Sequence, residues 1–179
     1  MKSVKALVLG GALLLWATAV GAVDGVSLEI GSTFQSPETT LWRVGAQWDW
    51  NKKWFESDGW FLGGYWDASL GRWHSADNGG NHDVTDFGFT PVFRYQKAGS
   101  GPYLEAAIGF HYLTHTDITQ ERQSSTHFQF GEHLGAGFRF GKNGEYDLGY
   151  RFQHLSNGGI DHPNPGINFH QVRLEYHFQ

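Results

Sequence analysis

Apolar and polar residues alternate along most of the chain after residue 25, and a period of two predicts β-strands. The clearest example runs from Leu104 to Tyr112, where every second residue is apolar and the residues between include Glu105 and His111. Helix signals are weak throughout, so the sequence predicts an all-β fold. Eight segments carry the strand pattern: 26–30, 42–50, 60–66, 87–95, 104–112, 128–140, 145–156 and 172–178.

The number and length of these segments favour a membrane barrel. A β-strand needs about 9–11 residues to cross a membrane, and bacterial outer-membrane barrels have an even strand number, an apolar outer face and a polar interior. A soluble barrel with an apolar interior is the alternative, but it lacks room for 8 Trp, 7 Tyr and 14 Phe. We therefore predict an eight-stranded antiparallel transmembrane β-barrel. Its connections alternate in length, shorter at 51–59, 96–102 and 141–144, and mostly longer at 71–83, 114–126 and 157–167.

The N-terminal residues have the pattern of an export signal. Lys2 and Lys5 precede an apolar stretch over 6–20, and small residues follow up to Ala22. This pattern predicts a signal peptide at 1–22 and a barrel domain at 23–179. A retained membrane anchor is the alternative, but the apolar stretch is short and is soon followed by Asp24.

Composition narrows the classes of partner and cofactor. The formal net charge is −5 with no basic stripe, which argues against nucleic acid as a partner. The chain has no cysteine, so it has neither disulfides nor thiolate metal sites. His74, Asp77, His82 and Asp83 could form a metal site in a loop, but such residues are more often solvated, and we predict neither a metal nor a cofactor.

The segment 145–156 carries the candidate chemistry. His154 and Ser156 share one strand face, and that face also holds Tyr150 and Phe152. In a membrane barrel this apolar face points to lipid, where polar residues are costly. A histidine beside a serine can activate it as a nucleophile, so an enzyme acting on a lipid of the outer leaflet would explain the pair. The alternative is that both residues lie in the interfacial belt without a catalytic role.

Several stretches, in this order, resemble the PagL-type lipid A 3-O-deacylases of Gram-negative outer membranes. The main match is His154-Leu155-Ser156-Asn157-Gly158-Gly159, followed by Pro163-Asn164-Pro165-Gly166-Ile167. Supporting stretches lie at 47–50, 64–68 and 102–109. The resemblance covers most of the chain after the predicted signal.

The resemblance implies an outer-membrane ester hydrolase whose substrate is lipid A, the lipid part of lipopolysaccharide in the outer leaflet. It would release the acyl chain at position 3, with Ser156 as nucleophile and His154 as general base. Candidate oxyanion donors are the side-chain amide of Asn157 and the backbone N–H groups of Gly158 and Gly159. The alternative role of these three residues is to turn the chain into the following loop.

One position departs from the family pattern. PagL-type enzymes use a glutamate as third member of the triad, and Asn168 occupies the matching position here. An amide oxygen can accept the His154 Nδ1–H and fix the tautomer, but it carries no full charge. Asn168 has the parity of Val172 and is predicted to meet His154 across adjacent strands. Asp161 is the rival third member.

The remaining polar and aromatic residues receive structural predictions. Tryptophans at 42, 48, 50, 60 and 66 are predicted to form membrane-interface girdles and lipid-facing surface. Six charged residues are predicted to form salt bridges inside the barrel: Glu105, Arg139, Asp147, Arg151, Arg173 and Glu175.

Two other functions stay open at the level of sequence. One is a noncatalytic structural or adhesive barrel, in which Ser156 is dispensable. The other is a lipid acyltransferase or phospholipase on the same architecture. The sequence also leaves open whether the barrel forms a homodimer.

Overall fold

The computed structural model of the chain describes residues 22–35, 37–77 and 80–178, which form nine strands. No helix in this part of the chain is long and apolar enough to cross a membrane. The predicted signal peptide lies almost wholly outside the described residues and stays a prediction. The strands are β1 (Gly25–Ser32), β2 (Thr39–Asp49), β3 (Trp54–Ser57), β4 (Trp60–Asp77), β5 (Gly80–Lys97), β6 (Gly101–Leu113), β7 (Phe128–Phe140), β8 (Tyr146–Ser156) and β9 (Ile167–His177).

Eight of the strands close into an antiparallel barrel, as predicted. Each of these eight strands pairs with the next one along the chain, β1 pairs with β9, and β2 pairs with β4 because the short β3 is not part of the closed barrel. β3 has four residues and pairs with β4 alone. The ends Gly25 and His177 are partners in the β1–β9 ladder, so both lie at one end of the barrel. We call this the terminal end and the opposite one the loop end.

The structure corrects the prediction of a loop at 71–83. β4 continues to Asp77 and β5 begins at Gly80, so each strand has 18 residues. The extension keeps the strand alternation, because Trp73 and Val84 are buried while Arg72 and Asp83 point outward. These outward polar residues resemble a solvated loop in sequence, yet they occupy a strand pair that continues beyond the apolar band.

The outer surface is apolar and the interior polar, as predicted for a membrane barrel. On β6 the burial alternates at every residue. Leu104 and Ile108 are 63% and 61% exposed, whereas Glu105 and His111 are buried. Because the exposure of apolar side chains to water is unfavourable, this arrangement fits a barrel surrounded by lipid.

Aromatic residues gather on the outer surface near the terminal end, in agreement with the predicted girdle. The Trp50 ring packs edge-on against Trp66, at 5.7 Å between centroids, and against Phe93, at 4.9 Å. Trp60 stacks on Tyr95 at 5.3 Å. Aromatic rings of this kind anchor a barrel at the membrane interface.

The lumen holds a set of paired charges that we call the lumen network. Arg94 Nη1 lies 2.8 Å from Asp147 Oδ2, and Arg151 Nη1 lies 2.7 Å from Glu29 Oε1. Five of the six residues predicted for the interior belong to this network, but Arg139 instead donates to the Gly144 carbonyl at 2.9 and 3.1 Å. The network consists of Glu29, Arg43, Asp67, Asp86, Arg94, Glu105, Asp147, Arg151, Arg173 and Glu175.

A separate apolar cluster fills the lumen at the loop end, and we call it the loop-end core. It consists of Leu41, Trp73, Val84, Leu113, Ile118, Leu155, Ile167 and Phe169. Trp73 and Phe169 pack with ring centroids 4.9 Å apart. Leu155 and Phe169 alternate with the outward residues His154 and Asn168, so this core fixes the strand backbones that carry the candidate site.

Candidate active site

His154 and Asn168 meet across β8 and β9, as their parity predicted. They are directly opposed in the antiparallel ladder, and His154 Nδ1 lies 2.6 Å from Asn168 Oδ1. Because an amide oxygen only accepts hydrogen bonds, Nδ1 is the donor. In the neutral ring the proton is then on Nδ1, which leaves Nε2 free to act as a base.

Ser156 follows His154 on the same outward face, and both side chains are partly buried. The Ser156 hydroxyl oxygen accepts the Gly158 N–H at 3.4 Å. No hydrogen bond joins Ser156 to His154 within the described part of the chain, a common situation before substrate binds, since catalytic hydrogen bonds often tighten only in the substrate complex.

Gly166 lets the chain pass against the His154 ring. A Cβ added to this glycine would lie 2.7 Å from His154 Cε1, which is too close for a real side chain, and the residue has φ of +62°. Both observations require glycine at this position. The loop over residues 157–166, which we call the site loop, therefore holds the imidazole from one side.

Asn157 is fully buried and organises the site loop. Its side-chain amide donates to Ser125 Oγ at 3.0 Å and to the Asp161 carbonyl at 2.8 Å, and its Oδ1 accepts the Gly159 N–H at 2.9 Å. Both amide hydrogens are thus engaged, and so is the Gly159 N–H. Of the three predicted oxyanion donors, the backbone N–H of Gly158 is the one placed against the Ser156 hydroxyl.

Two residues that sequence reasoning did not assign also hold the site loop. Asn164 Oδ1 accepts the Asn157 N–H at 3.0 Å, and the Ser125 N–H donates to the Pro163 carbonyl at 2.9 Å. Asn164 lies in the second stretch that resembles the family, and this resemblance was the signal by which the sequence could have identified it. Ser125 lies in the β6–β7 connection, and no local pattern marks it.

Asp161, the rival third member, lies in the exposed part of the site loop. Its carboxylate accepts the His162 backbone N–H at 2.8 Å. The structure therefore brings Asn168, rather than Asp161, to the His154 ring.

An apolar groove of about 670 Å³ opens on the lipid-facing surface beside His154. Its walls include Phe93, Ile108, Leu134 and Phe152, and its floor includes the small Ala106. Pro91 also lines it, and the β5–β6 pairing is interrupted at this proline because proline has no N–H to donate. The groove has the shape and polarity of a site for a hydrocarbon chain.

The residues proposed for a loop metal site lie instead on the extended β4–β5 hairpin. Asp83 Oδ2 is 3.0 Å from Arg72 Nη2, and Asp83 Oδ1 is 2.9 Å from His74 Nδ1. The hydrogen bond from His74 lowers the pKa of the Asp83 carboxyl, and Arg72 adds to this effect. Because Arg72 already neutralises the Asp83 carboxylate, Arg72, His74 and Asp83 form an ion-paired group on the outer surface rather than a metal site.

Metal-ligating atoms also approach one another in the lumen at Asp147, Glu175 and His177, within 4.8 Å. Arg94 and Arg173 bind the two carboxylates of this cluster. Both carboxylates thus belong to the lumen network, and guanidinium groups already bind them where a metal ion would have to bind.

Comparisons with known proteins agree with this geometry. The family model described as Lipid A 3-O-deacylase (PagL) matches residues 40–177. Lipid A deacylase PagL of Pseudomonas aeruginosa is 35% identical over 175 residues, which cover 96% of each chain. Lipid A deacylase PagL of Bordetella bronchiseptica is 39% identical over 88 residues, covering 49% of this chain and 47% of the relative.

Two solved structures resemble the chain to different degrees. The crystal structure of the outer membrane enzyme PagL matches with a TM-score of 0.75 and 31% identity, over 86% of this chain and 99% of that one. Neisserial surface protein A matches with a TM-score of 0.50 and 10% identity, over 86% of this chain and 95% of that one. The second likeness shows the barrel fold alone.

Proposed function

The chain belongs to the PagL family of lipid A 3-O-deacylases, and from this membership we propose how it releases the 3-O-linked acyl chain of lipid A. It is an outer-membrane β-barrel hydrolase. Ser156 is the nucleophile and His154 the general base. The observation that carries these roles is the 2.6 Å contact between His154 Nδ1 and Asn168 Oδ1, because it turns Nε2 into the free base on the serine's own strand face.

The reaction has two steps. His154 Nε2 takes the Ser156 hydroxyl proton as the oxygen attacks the ester carbonyl, and the Gly158 N–H donates to the resulting oxyanion. The tetrahedral intermediate collapses, the C–O bond to lipid A breaks, and His154 returns the proton to the leaving 3-hydroxyl. A water molecule then gives a proton to His154 as it attacks the acyl–Ser156 ester. His154 passes this proton to the Ser156 oxygen as the ester C–O bond breaks and the fatty acid leaves.

The groove beside His154 supports the placement of the substrate. A lipid A molecule in the outer leaflet can slide its acyl chain along the barrel surface into the groove, without leaving the membrane. The ester at the head of that chain then meets Ser156 near the loop end of β8. This route requires the loop end to face the outside of the cell. The terminal end, where Gly25 and His177 lie, must then face the periplasm.

The test is mass spectrometry of lipid A from cells that express the intact chain, Ser156→Ala or His154→Ala. We expect the intact chain alone to remove one 3-linked hydroxyacyl chain. Unchanged lipid A with the intact protein, both in cells and after purification in detergent, would favour a noncatalytic barrel. Gain of an acyl chain elsewhere would favour a transferase.

Two further parts of the proposal concern maturation and assembly. We propose that residues 1–22 are removed on export, which the mass of the purified mature protein tests. A homodimer also stays a prediction, and light scattering of the detergent-solubilised barrel distinguishes one copy from two.

A further inference from the structure

Glu132 is a carboxylate on the lipid-facing side of the barrel. It lies on the outward face of β7, between the outward residues Phe130 and Leu134. Its Oε2 atom is buried and has no hydrogen-bond partner among the residues that the structure describes. An unpaired charge at a lipid-facing position is destabilising. The presence of Glu132 here therefore indicates a role other than packing.

The strand register places Glu132 beside the proposed base. Glu132 is directly opposite His154 in the β7–β8 ladder, and His154 is directly opposite Asn168 in the β8–β9 ladder. The three side chains thus form a row across the outer surface. Directly opposed residues have Cβ atoms about 4.5–5.5 Å apart, and Glu132 and His154 both line the groove.

Other titratable groups around His154 are engaged elsewhere. On β9, His170 Nδ1 lies 2.6 Å from the Tyr150 hydroxyl. In the site loop, Asp161 accepts the His162 backbone N–H. Glu132 is therefore the carboxylate that faces His154 from the flanking strands in the described part of the chain.

The chemistry of the reaction calls for a negative charge at this place. When His154 takes the serine proton it becomes an imidazolium, and Asn168 fixes its orientation but offers no charge. An opposite charge within about 4–6 Å favours the protonated form. We propose that Glu132 supplies this charge, so that the role of one triad carboxylate is divided between Asn168, which orients the ring, and Glu132, a positioning residue that stabilises its charged form. This inference rests on the proposed function of His154.

The experiment compares Glu132→Gln, Asn168→Glu and the double variant with the intact protein in detergent micelles, using lipid A as substrate over a range of pH. We expect Glu132→Gln to lower kcat roughly tenfold or more with little change in KM. The acid limb of the kcat/KM profile should move to lower pH, because His154 loses its proton more readily without the neighbouring anion. Asn168→Glu should restore activity strongly in the Glu132→Gln background and add less to the intact protein.

Asp83→Asn is the matched control, because it removes an outward carboxylate from β5, which β6 and β7 separate from β8. It should leave the profile unchanged. NMR titration of histidine-labelled protein, with His154→Gln for assignment, gives a readout that needs no turnover. We expect the pH at which His154 is half protonated to be lower in Glu132→Gln.

Three results would overturn the inference, each in a distinct way. A loss of kcat with an unmoved His154 titration and no rescue by Asn168→Glu would indicate a packing role. A higher KM with unchanged kcat would indicate contact with the substrate head group, and an unchanged enzyme would indicate no role. If the titration shifts as expected but the intact protein releases no fatty acid, the proposed function fails while the coupling of Glu132 to His154 stands.

Discussion

The same kinds of side chain are arranged in opposite ways inside the barrel and on its outer surface. All six carboxylates of the lumen network lie within 4.0 Å of a guanidinium, as Asp86 does with Arg43 at 2.8 Å. On the outer surface a hydrogen bond joins His154 to Asn168, while Glu132 Oε2 has no hydrogen-bond partner among the described residues. The paired charges stabilise the fold, whereas the incompletely paired groups lie beside a groove, where a reaction can use them.

The largest expected effect is the loss of the nucleophile. Ser156→Ala should lower the rate of fatty-acid release by about 10⁵- to 10⁶-fold, because the outer surface then has no group to attack the ester. The barrel should keep its heat-modifiable migration in gels and its circular dichroism. Ser100→Ala, which removes a hydroxyl from the β5–β6 turn at the terminal end, should keep full activity. Retained hydrolysis in Ser156→Ala would remove this residue from the mechanism.

Substitutions in the lumen network should lower the free energy of unfolding rather than the catalytic activity. Arg94→Ala leaves Glu105, Asp147 and Glu175 short of a counter-charge, and loss of one member of a buried pair costs about 3–5 kcal/mol. Unfolding by urea in micelles measures this free energy, and kcat of the folded protein should change little.

Arg139→Ala is the matched control for that experiment, because this arginine donates to a backbone carbonyl at the terminal end. Its loss of stability should be smaller. Equal losses for the two arginines would show that the network is not specifically stabilising, and a large loss of kcat in folded Arg94→Ala would show that the two regions are coupled.

Removal of the Asn168 amide should have an intermediate effect on activity. Asn168→Ala frees the His154 ring to change tautomer and orientation, and we expect kcat to fall roughly 10- to 100-fold. The kcat of Asp161→Ala should be close to that of the intact protein. The reverse pattern would transfer the orienting role to Asp161, and steady-state release of fatty acid at saturating substrate distinguishes the two.

A smaller effect is expected from filling the groove. Ala106→Trp places an indole on the groove floor, so KM for long-chain substrate should rise roughly tenfold, as expected when about 1–3 kcal/mol of apolar binding is lost. A short-chain ester should be hydrolysed normally. Ala136 lies on the outer face of β7 outside the groove. The control Ala136→Trp should therefore keep the KM of the intact protein. Equal effects at both positions would argue against the groove as the acyl site.

The smallest expected effect lies at the terminal end. Glu145 accepts the Asn143 backbone N–H at 2.8 Å, and this hydrogen bond lowers the pKa of the carboxyl below its ordinary value. A lowered pKa stabilises the folded state above the unfolded pKa, and this stabilisation disappears as pH falls through the folded value. Unfolding curves should therefore separate the intact protein from Glu145→Gln above pH ~4.5 and converge at lower pH. A constant difference across pH would contradict this.

The periodicity of the sequence was sufficient for the fold and for part of the site. Alternation on β6 predicted the exposed Leu104 and the buried Glu105, and parity brought Asn168 to His154 across two strands. Parity works here because each barrel strand has one lipid face and one polar face.

Other features depended on neighbours that no local pattern reveals. Pro91 obscured the alternation of β5, so Arg94 was not assigned to the lumen. The outward polar residues of the β4–β5 extension looked like a loop because water, rather than lipid, surrounds them. Asn157 has the composition of a turn residue, and only the fold shows that Ser125 and Asp161 engage its amide. Glu132 interrupts the apolar alternation of β7 in the sequence, but only the strand register shows that it lies beside His154.

The central claim is that the reaction occurs at Ser156 on the lipid-facing surface, and trapping of the covalent intermediate tests it most directly. Purified protein in micelles would be mixed with lipid A, quenched in acid within the first turnover, digested and analysed by mass spectrometry. The account predicts a hydroxyacyl group on the peptide that contains Ser156, and its absence in Ser156→Ala and His154→Ala. An acyl group on another residue, or hydrolysis with no acylated peptide under conditions where product forms in a burst, would contradict it.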